Sequence, residues 1–444
     1  MTKRSPTAKS SPARSLSSTL SPYLDRLKRE KKVSNCNVGN DDNVDDFVDD
    51  DYSIHWTPTN QLPPHLIGNK YFDDKKNITI LHRNNISCGF SLSQTICSYG
   101  YFCLAPNRWV PSGSRLKERD DEGYLVRPLT LRYNRKEIEQ EGQNRHKTFL
   151  VAIGQNTETR SVIVALRSPS SIDETYCKKV TKQIDRMLRL DTNLDDFYEL
   201  HIEAKERGFG RLYRSPTLFE DMVKTITNCN MKWNGTVEMN AKLCRHIGTD
   251  GAFPTPDEIN RVGSDFLKEN CRVGYRDKYI WGLANDIVEG RLDLREFESI
   301  DNIREDVQKR LLKIKGIGPY ASNNILQLIG HFNVHPYDTE TVRLWKEEFG
   351  ASSSATKADV FKNAKAHYAQ FNEYSFIAYW FDLWKNYEKR DGCMSVQWAI
   401  EQLENERPTG IESDHNSVFS NMNSTKSKSP KKKRKKKHAP AVAL

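Results

Sequence analysis

Tyr320 and Asp338, eighteen positions apart in the C-terminal half of the chain, have the residue types and the setting to do chemistry. Asp338 follows a loop that contains Pro336, and it opens a helical pattern that continues through Val342 and Trp345. A carboxylate at a helix N-terminus is favoured as the anion by the helix dipole. Such an anion can stabilise a positive charge that develops in a transition state, or deprotonate an attacking water. The simpler alternative is that Asp338 only caps its helix, and the two roles are compatible.

A tight turn with two glycines precedes this pair. Apolar residues recur at helical spacing on both sides of the turn, so two helices should meet there. They are Ile303, Val307, Leu311 and Ile314 before the turn, and Ala321, Ile325, Leu328 and Ile329 after it. Glycines permit positive φ and carry no Cβ, so a DNA phosphate could approach bare backbone N–H groups. Pro319 suits the first position of the second helix, whose positive end would face the same phosphate. We therefore predict a helix-hairpin-helix whose turn binds DNA through Lys315, Gly316, Ile317 and Gly318.

The order of these features resembles the HhH-GPD superfamily of DNA glycosylases. The shared features are the Gly-x-Gly hairpin, a short amphipathic helix, a loop with a proline and an aspartate that opens the next helix. The resemblance implies that Asp338 is catalytic and that Tyr320 stands where some relatives carry a lysine nucleophile. It further implies that a damaged or mispaired base is flipped out of duplex DNA and its N-glycosidic bond hydrolysed. A phenol cannot form the Schiff base of a lyase, so we expect a monofunctional enzyme.

Two other functions stay open at this point. One is a bifunctional glycosylase/lyase in which Lys313 or Lys315 replaces the missing nucleophile, although both lie on the wrong side of the turn. The other is a DNA-binding scaffold that has lost its chemistry, against which the intact Asp338 argues.

The same resemblance suggests three further site residues. Asn230 ends an Asn-rich turn in the place where 8-oxoguanine glycosylases enter the DNA, although it and Asn228 could merely cap a helix. Arg276 would reach a backbone phosphate, unless it is only a solvated charge in a first helical turn. Tyr374, at the start of an aromatic-rich helix, is our candidate for a residue that contacts the flipped base.

The periodicity predicts an α+β protein with an antiparallel β-domain followed by an all-helical glycosylase domain. We place a disordered tail at 1–51, the β-rich domain at 52–170, the helical domain at 171–405 and a disordered basic tail at 406–444. The predicted strands lie at 78–81, 101–104, 148–153 and 161–166, and a long exposed loop is expected at 115–143. Thr255, Pro256 and Glu258 predict a capping-box helix start. The β-domain extends the resemblance, since 8-oxoguanine and 3-methyladenine glycosylases also carry one before their helices.

The distribution of charge along the chain predicts where in the cell the protein acts. The net charge of +9 equals the nine basic residues within 426–437, where no acid occurs, so the rest of the chain is neutral. The run Lys431, Lys432, Lys433, Arg434, Lys435, Lys436 and Lys437 predicts a nuclear import signal and an import receptor as partner. A DNA-tethering arm and a merely solvated charge run are the alternatives. We expect a monomer in the nucleus that binds lesion-bearing double-stranded DNA.

Cofactors and membranes are not expected. The nine cysteines form no CxxC pairs, and only Cys393 follows Asp338, so no iron–sulfur cluster is predicted. The resemblance leaves room for a structural sodium or potassium ion on the hairpin carbonyls, and we predict no other metal. No apolar run is long enough to span a bilayer.

Overall fold

The computed structural model describes residues 56–59, 78–84, 86, 89–111, 123–132, 146–156, 160–168, 172, 174–299 and 302–398. These residues belong to one compact unit, Val48–Leu444. The predicted α+β class is confirmed, because a six-stranded antiparallel sheet is followed by a succession of helices. The two predicted tails, with the basic run at 431–437, lie outside the described residues, and the domain boundaries stay predictions.

The sheet occupies the N-terminal part of the described chain. Its strands are β1 Trp56–Thr59, β2 Ile78–Arg83, β3 Arg108–Val110, β4 Tyr124–Arg132, β5 His146–Asn156 and β6 Ser161–Arg167. Their spatial order is β1-β2-β6-β5-β4-β3, and every neighbouring pair is antiparallel. Three of the four predicted strands are confirmed. The fourth is wrong, because Tyr101 lies in a short 3-10 helix, Gly100–Cys103.

Strand β4 corrects the prediction of one exposed loop across 115–143. Leu125, Leu129 and Leu131 alternate on a buried face, as a strand requires. Arg127 lies on the same face and is also buried, since its guanidinium donates to Glu220 Oε2 at 2.9 Å. A buried arginine interrupts the apolar alternation, so the strand could not be recognised from the pattern alone.

Thirteen α-helices lie within the described residues. They are α1 Leu92–Ile96, α2 Glu174–Leu188, α3 Asp195–Leu200, α4 Ile202–Arg207, α5 Leu218–Asn228, α6 Trp233–His246, α7 Pro256–Glu269, α8 Asp277–Val288, α9 Arg304–Leu311, α10 Pro319–Leu328, α11 Thr339–Glu348, α12 Lys357–Tyr368 and α13 Ser375–Asp391. None of them is long and apolar enough to cross a membrane.

Two large apolar cores hold these elements. One joins the sheet to α2 and to the aromatic helix α13, and the other packs α5 to α10 together. A third, smaller cluster contains Val126, Ala152 and Ala165 of strands β4, β5 and β6. Helix α10, the second helix of the hairpin, contributes Ile325 to the second core and Leu328 to the first. Both cores therefore hold α10, and this fixes the position of the hairpin turn that precedes it.

Candidate active site

A groove of about 1240 Å³ contains most of the predicted site residues. Its walls come from the hairpin turn, the loop before α11, the turn between α5 and α6, and residues of α13. The predicted residues that line it are Tyr320, Asp338, Asn230, Arg276, Lys315, Gly316, Ile317 and Gly318. The fold thus brings residues from distant parts of the sequence to one concave surface.

Asp338 is the N-cap of α11. Its Oδ1 accepts the backbone N–H of Glu340 at 2.9 Å and that of Thr341 at 3.4 Å. Its Oδ2 accepts a hydrogen bond from the phenol of Tyr320 at 3.3 Å. The capping role and a catalytic role are thus compatible in the geometry, because one carboxylate oxygen serves the helix and the other meets Tyr320.

The surroundings of the Asp338 carboxylate shift its pKa in opposite directions. Burial raises the pKa of Asp338 above its ordinary value, while the N–H groups of Glu340 and Thr341 and the Tyr320 phenol act to lower it. Burial and the charge of Asp338 raise the pKa of Tyr320 well above its ordinary value. Tyr320 therefore stays a neutral phenol that can donate to the carboxylate at physiological pH.

Helix α10 holds the loop that carries Asp338. Asn323 Nδ2 donates to the carbonyl of His335 at 3.1 Å, and Gln327 Nε2 donates to the carbonyl of Val334 at 2.8 Å. The His335 ring stacks on Tyr337 with centroids 4.8 Å apart. Burial lowers the pKa of His335 to about 4, so this ring is neutral at pH 7. The position of Asp338 is thus set by the hairpin itself.

The two hairpin glycines differ in backbone conformation and in the space around them. Gly316 has a φ of +92°, and a Cβ built on it would lie 2.6 Å from Cγ of Tyr279. Gly318 has a φ of −90°, is the N-cap of α10, and would have no neighbouring atom within 4 Å of an added Cβ. Of the two glycines, Gly316 alone uses positive φ, and Gly318 alone stands beside open space. Lys315 is exposed, whereas Ile317 is buried.

The turn between α5 and α6 presents Asn230 to the groove. Asn230 is exposed and has a φ of +51°, a left-handed conformation that asparagine tolerates. Asn228 accepts a hydrogen bond from the Thr236 hydroxyl at 3.3 Å, so it is tied to α6. Asn230 is thus exposed at the groove, and its contact with DNA stays a prediction.

Arg276 differs from the prediction. It is only 2% exposed, and its guanidinium donates to the carbonyls of Ile226, Val273 and Cys229 at 3.1, 3.3 and 2.5 Å. These bonds leave little of the side chain for a phosphate, contrary to the expected contact. Its observed role is to hold the C-terminal end of α5, and with it the turn that carries Asn230.

Tyr374 also differs from the prediction. It precedes α13 but does not belong to the groove lining, and its ring packs 5.7 Å from the ring of Phe197. Tyr374 therefore packs against the core that joins the sheet to α2 and α13, and it is not part of the groove wall as predicted.

Comparison with known proteins supports the resemblance. No family model matches the chain. The chain is 25% identical over 174 residues to the Bacillus subtilis protein YfjP, provisionally named a DNA-3-methyladenine glycosylase; the match covers 37% of this chain and 60% of YfjP. It is 22% identical over 228 residues to the Bacillus subtilis DNA-3-methyladenine glycosylase, covering 46% of this chain and 73% of the relative. The chain is related in sequence to DNA glycosylases. The expected resemblance to this group is confirmed.

The extent of these similarities is limited. The chain spans 60% of the length of YfjP. The apo structure of Clostridium acetobutylicum 8-oxoguanine glycosylase/lyase is 18% identical, with a TM-score of 0.47, over 69% of this chain and 95% of that chain.

Aromatic residues that were not predicted as site residues also line the groove of this chain. They are Tyr99, Tyr101, Trp233, Tyr379, Trp380, Trp384 and Tyr387. The aromatic density of 374–387 was the available signal, but it did not indicate which rings face the groove. Tyr99 and Tyr101 gave no signal, because Tyr101 was predicted to lie in a strand of the sheet at 101–104 and Tyr99 comes just before that strand.

The described part of the chain contains no group of three or more His, Cys, Asp or Glu side chains that could hold a metal ion. The hairpin carbonyls of Ile314 and Gly318 accept the N–H groups of Ile317 and Ser322. Each oxygen keeps a second lone pair, so a sodium or potassium ion at the turn stays a prediction.

Proposed function

We propose that the chain is a monofunctional DNA glycosylase that hydrolyses the N-glycosidic bond of a damaged base flipped into the groove. The observation that carries this proposal is the pair of Asp338 and Tyr320, hydrogen-bonded at 3.3 Å in a groove beside the hairpin turn. Asp338 would stabilise the positive charge that develops on the sugar and orient or deprotonate the attacking water.

Binding of the DNA strand would use the hairpin. The exposed Gly318 leaves room for a phosphate, and the N-terminus of α10 directs its positive end to the same place. Lys232, Lys313 and Lys315 are exposed at the groove, where their charges complement the sugar–phosphate backbone. These contacts are independent of sequence, as a lesion-searching enzyme requires.

The absence of a lyase step is proposed from Tyr320. Its phenol is engaged with Asp338 and can form no imine with the sugar. Lys313 and Lys315 support the competing lyase, since both line the groove and are exposed. Borohydride would trap an imine from either lysine as a covalent adduct with DNA.

Alkylated purines are the base class that we propose to test first. Two relatives carry the name 3-methyladenine glycosylase, and the groove is rich in aromatic faces on which a base can stack. The basic run at 431–437 further supports a nuclear enzyme that is carried by an import receptor. We propose that it acts as a monomer.

The test is a panel of duplexes that carry an alkylated purine, 8-oxoguanine, uracil or no lesion. Each is incubated with the full chain, with and without later alkali, and scored for free base and strand cleavage. We expect base release from at least one lesion and strand cleavage only after alkali. Release from none of them would contradict glycosylase activity. Cleavage without alkali, together with a borohydride adduct, would favour the lyase.

A further inference from the structure

Four consecutive residues that precede β3 each contact a different helix around the groove. The Ser98 carbonyl accepts the indole N–H of Trp380 in α13 at 2.7 Å. The Tyr99 hydroxyl donates to Asn324 Oδ1 in α10 at 3.2 Å, and the Tyr101 hydroxyl bonds that of Thr225 in α5 at 2.6 Å. Gly100 is the fourth residue: a Cβ there would lie 3.1 Å from the Trp233 ring of α6.

Tyr99 is the member of this segment nearest to the proposed chemistry. Its hydrogen-bond partner Asn324 donates through Nδ2 to the carbonyl of Tyr320 at 2.9 Å. Tyr320 in turn donates to Asp338. Two hydrogen bonds therefore join Tyr99, from the sheet side of the molecule, to the backbone of Tyr320, and the side chain of that same residue bonds the carboxylate.

The Tyr99 ring is also part of the groove. It is 5% exposed, lines the groove, and lies 5.0 Å from the Trp380 ring at an interplanar angle of 38°. The Tyr101 ring packs edge-on against it at 4.9 Å. Contacts on these sides and the hydroxyl bond to Asn324 fix the ring, so the shape of this wall is set before any ligand binds.

We propose that Tyr99 is a positioning and specificity-determining residue of the glycosylase reaction. Through Asn324 it holds the first turn of α10 in register with Asp338, and through its ring it limits the bases that fit the groove. This inference rests on the proposed function. It assigns to the N-terminal sheet layer a part in the active site, because without Tyr99 the helical groove lacks one wall.

The first test replaces Tyr99 by phenylalanine, which keeps the ring and removes only the hydroxyl. A matched control is Tyr368→Phe, since Tyr368 is also buried and its hydroxyl donates to Asp382 Oδ2 at 2.8 Å, but the residue does not line the groove. A neutral hydrogen bond corresponds to about a twofold to tenfold change in an equilibrium or rate. We expect Tyr99→Phe to lower the single-turnover excision rate by that factor and to leave affinity for undamaged duplex unchanged. The control should excise at the wild-type rate.

The second test replaces Tyr99 by leucine, which removes the aromatic ring from this part of the groove wall. We expect the ratio of excision rates for an alkylated purine and for uracil to change by about fivefold or more, since ring contacts with a base are worth that much. Thermal melting of both variants verifies the fold, and the phenylalanine variant decides the case if the leucine variant unfolds.

Equal excision by Tyr99→Phe and Tyr368→Phe, or an unchanged ratio in a folded Tyr99→Leu, would overturn the inference and leave the proposed function intact. Failure of the wild-type chain to release any base would overturn both.

Discussion

The contrast between Gly316 and Gly318 yields a pair of opposite predictions for two alanine substitutions. At Gly316 the new Cβ would lie 2.6 Å from Cγ and 2.7 Å from Cβ of Tyr279, distances that require a shift. Positive φ costs a non-glycine residue about 1–2 kcal/mol, and overpacking adds about 1–3 kcal/mol. We therefore expect Gly316→Ala to lower the free energy of unfolding by about 2–5 kcal/mol.

Gly318→Ala should behave in the opposite way. Its φ of −90° suits any residue and no atom lies within 4 Å of the added Cβ, so only a weaker N-cap opposes it. That loss is under about 1 kcal/mol. The methyl group would, however, stand where a phosphate approaches the turn. Loss of one charge-assisted hydrogen bond corresponds to about tenfold to hundredfold weaker DNA binding.

Urea unfolding and fluorescence anisotropy with a short duplex measure the two effects on each variant. Adding Tyr279→Ala to Gly316→Ala should recover the overpacking part, because the crowded neighbour is gone, and a double-mutant cycle reports that coupling. Wild-type DNA affinity in Gly318→Ala would refute the phosphate contact. Wild-type stability in Gly316→Ala would refute the steric argument.

Three further predictions follow from the site and the tail. Tyr320→Lys should gain a borohydride-trapped adduct and strand cleavage without alkali, because it places an amine beside Asp338; a variant with neither would contradict the assigned position. Excision should be lost as pH falls through the pKa of Asp338, which burial raises above its ordinary value, and a rate independent of pH in the acidic range would count against an essential anion. Deletion of 431–437 should abolish nuclear accumulation of a fluorescent fusion but leave excision on short duplexes intact; continued nuclear enrichment would place the signal elsewhere.

Local sequence patterns predicted the hairpin and its surroundings well. Pro319 is the first residue of α10, and Asp338 caps α11, as their neighbours in sequence indicated. The capping box of Thr255 and Glu258 is also confirmed. Each of these features is decided by residues within a few positions, so periodicity and capping rules are enough to find them.

Features that depend on distant partners were not predictable. Trp380 is fixed in the groove by a carbonyl 282 positions away, and no pattern in the aromatic-rich stretch 374–387 distinguishes it from Tyr374. Arg276 looks like a surface charge until the carbonyls of the α5 end are placed around it. Strand β4 was hidden because Arg127 finds its partner Glu220 in a helix 93 residues further on. A buried charge is permitted only by its partner, and the partner is known only from the fold.

Single-turnover excision by Asp338→Asn tests the catalytic claim most directly. Asparagine caps a helix as well as aspartate does, so α11 and DNA binding should persist. Because the raised pKa of Asp338 means that its ionised form costs stability above that pKa, the neutral variant should be at least as stable as the wild type at pH 7. Glu347→Gln, which removes an exposed carboxylate of α11 outside the groove, is the control. We expect Asp338→Asn to lose base excision by at least about a hundredfold while binding lesion-bearing duplex normally. Wild-type excision by a folded Asp338→Asn would contradict the catalytic role of Asp338.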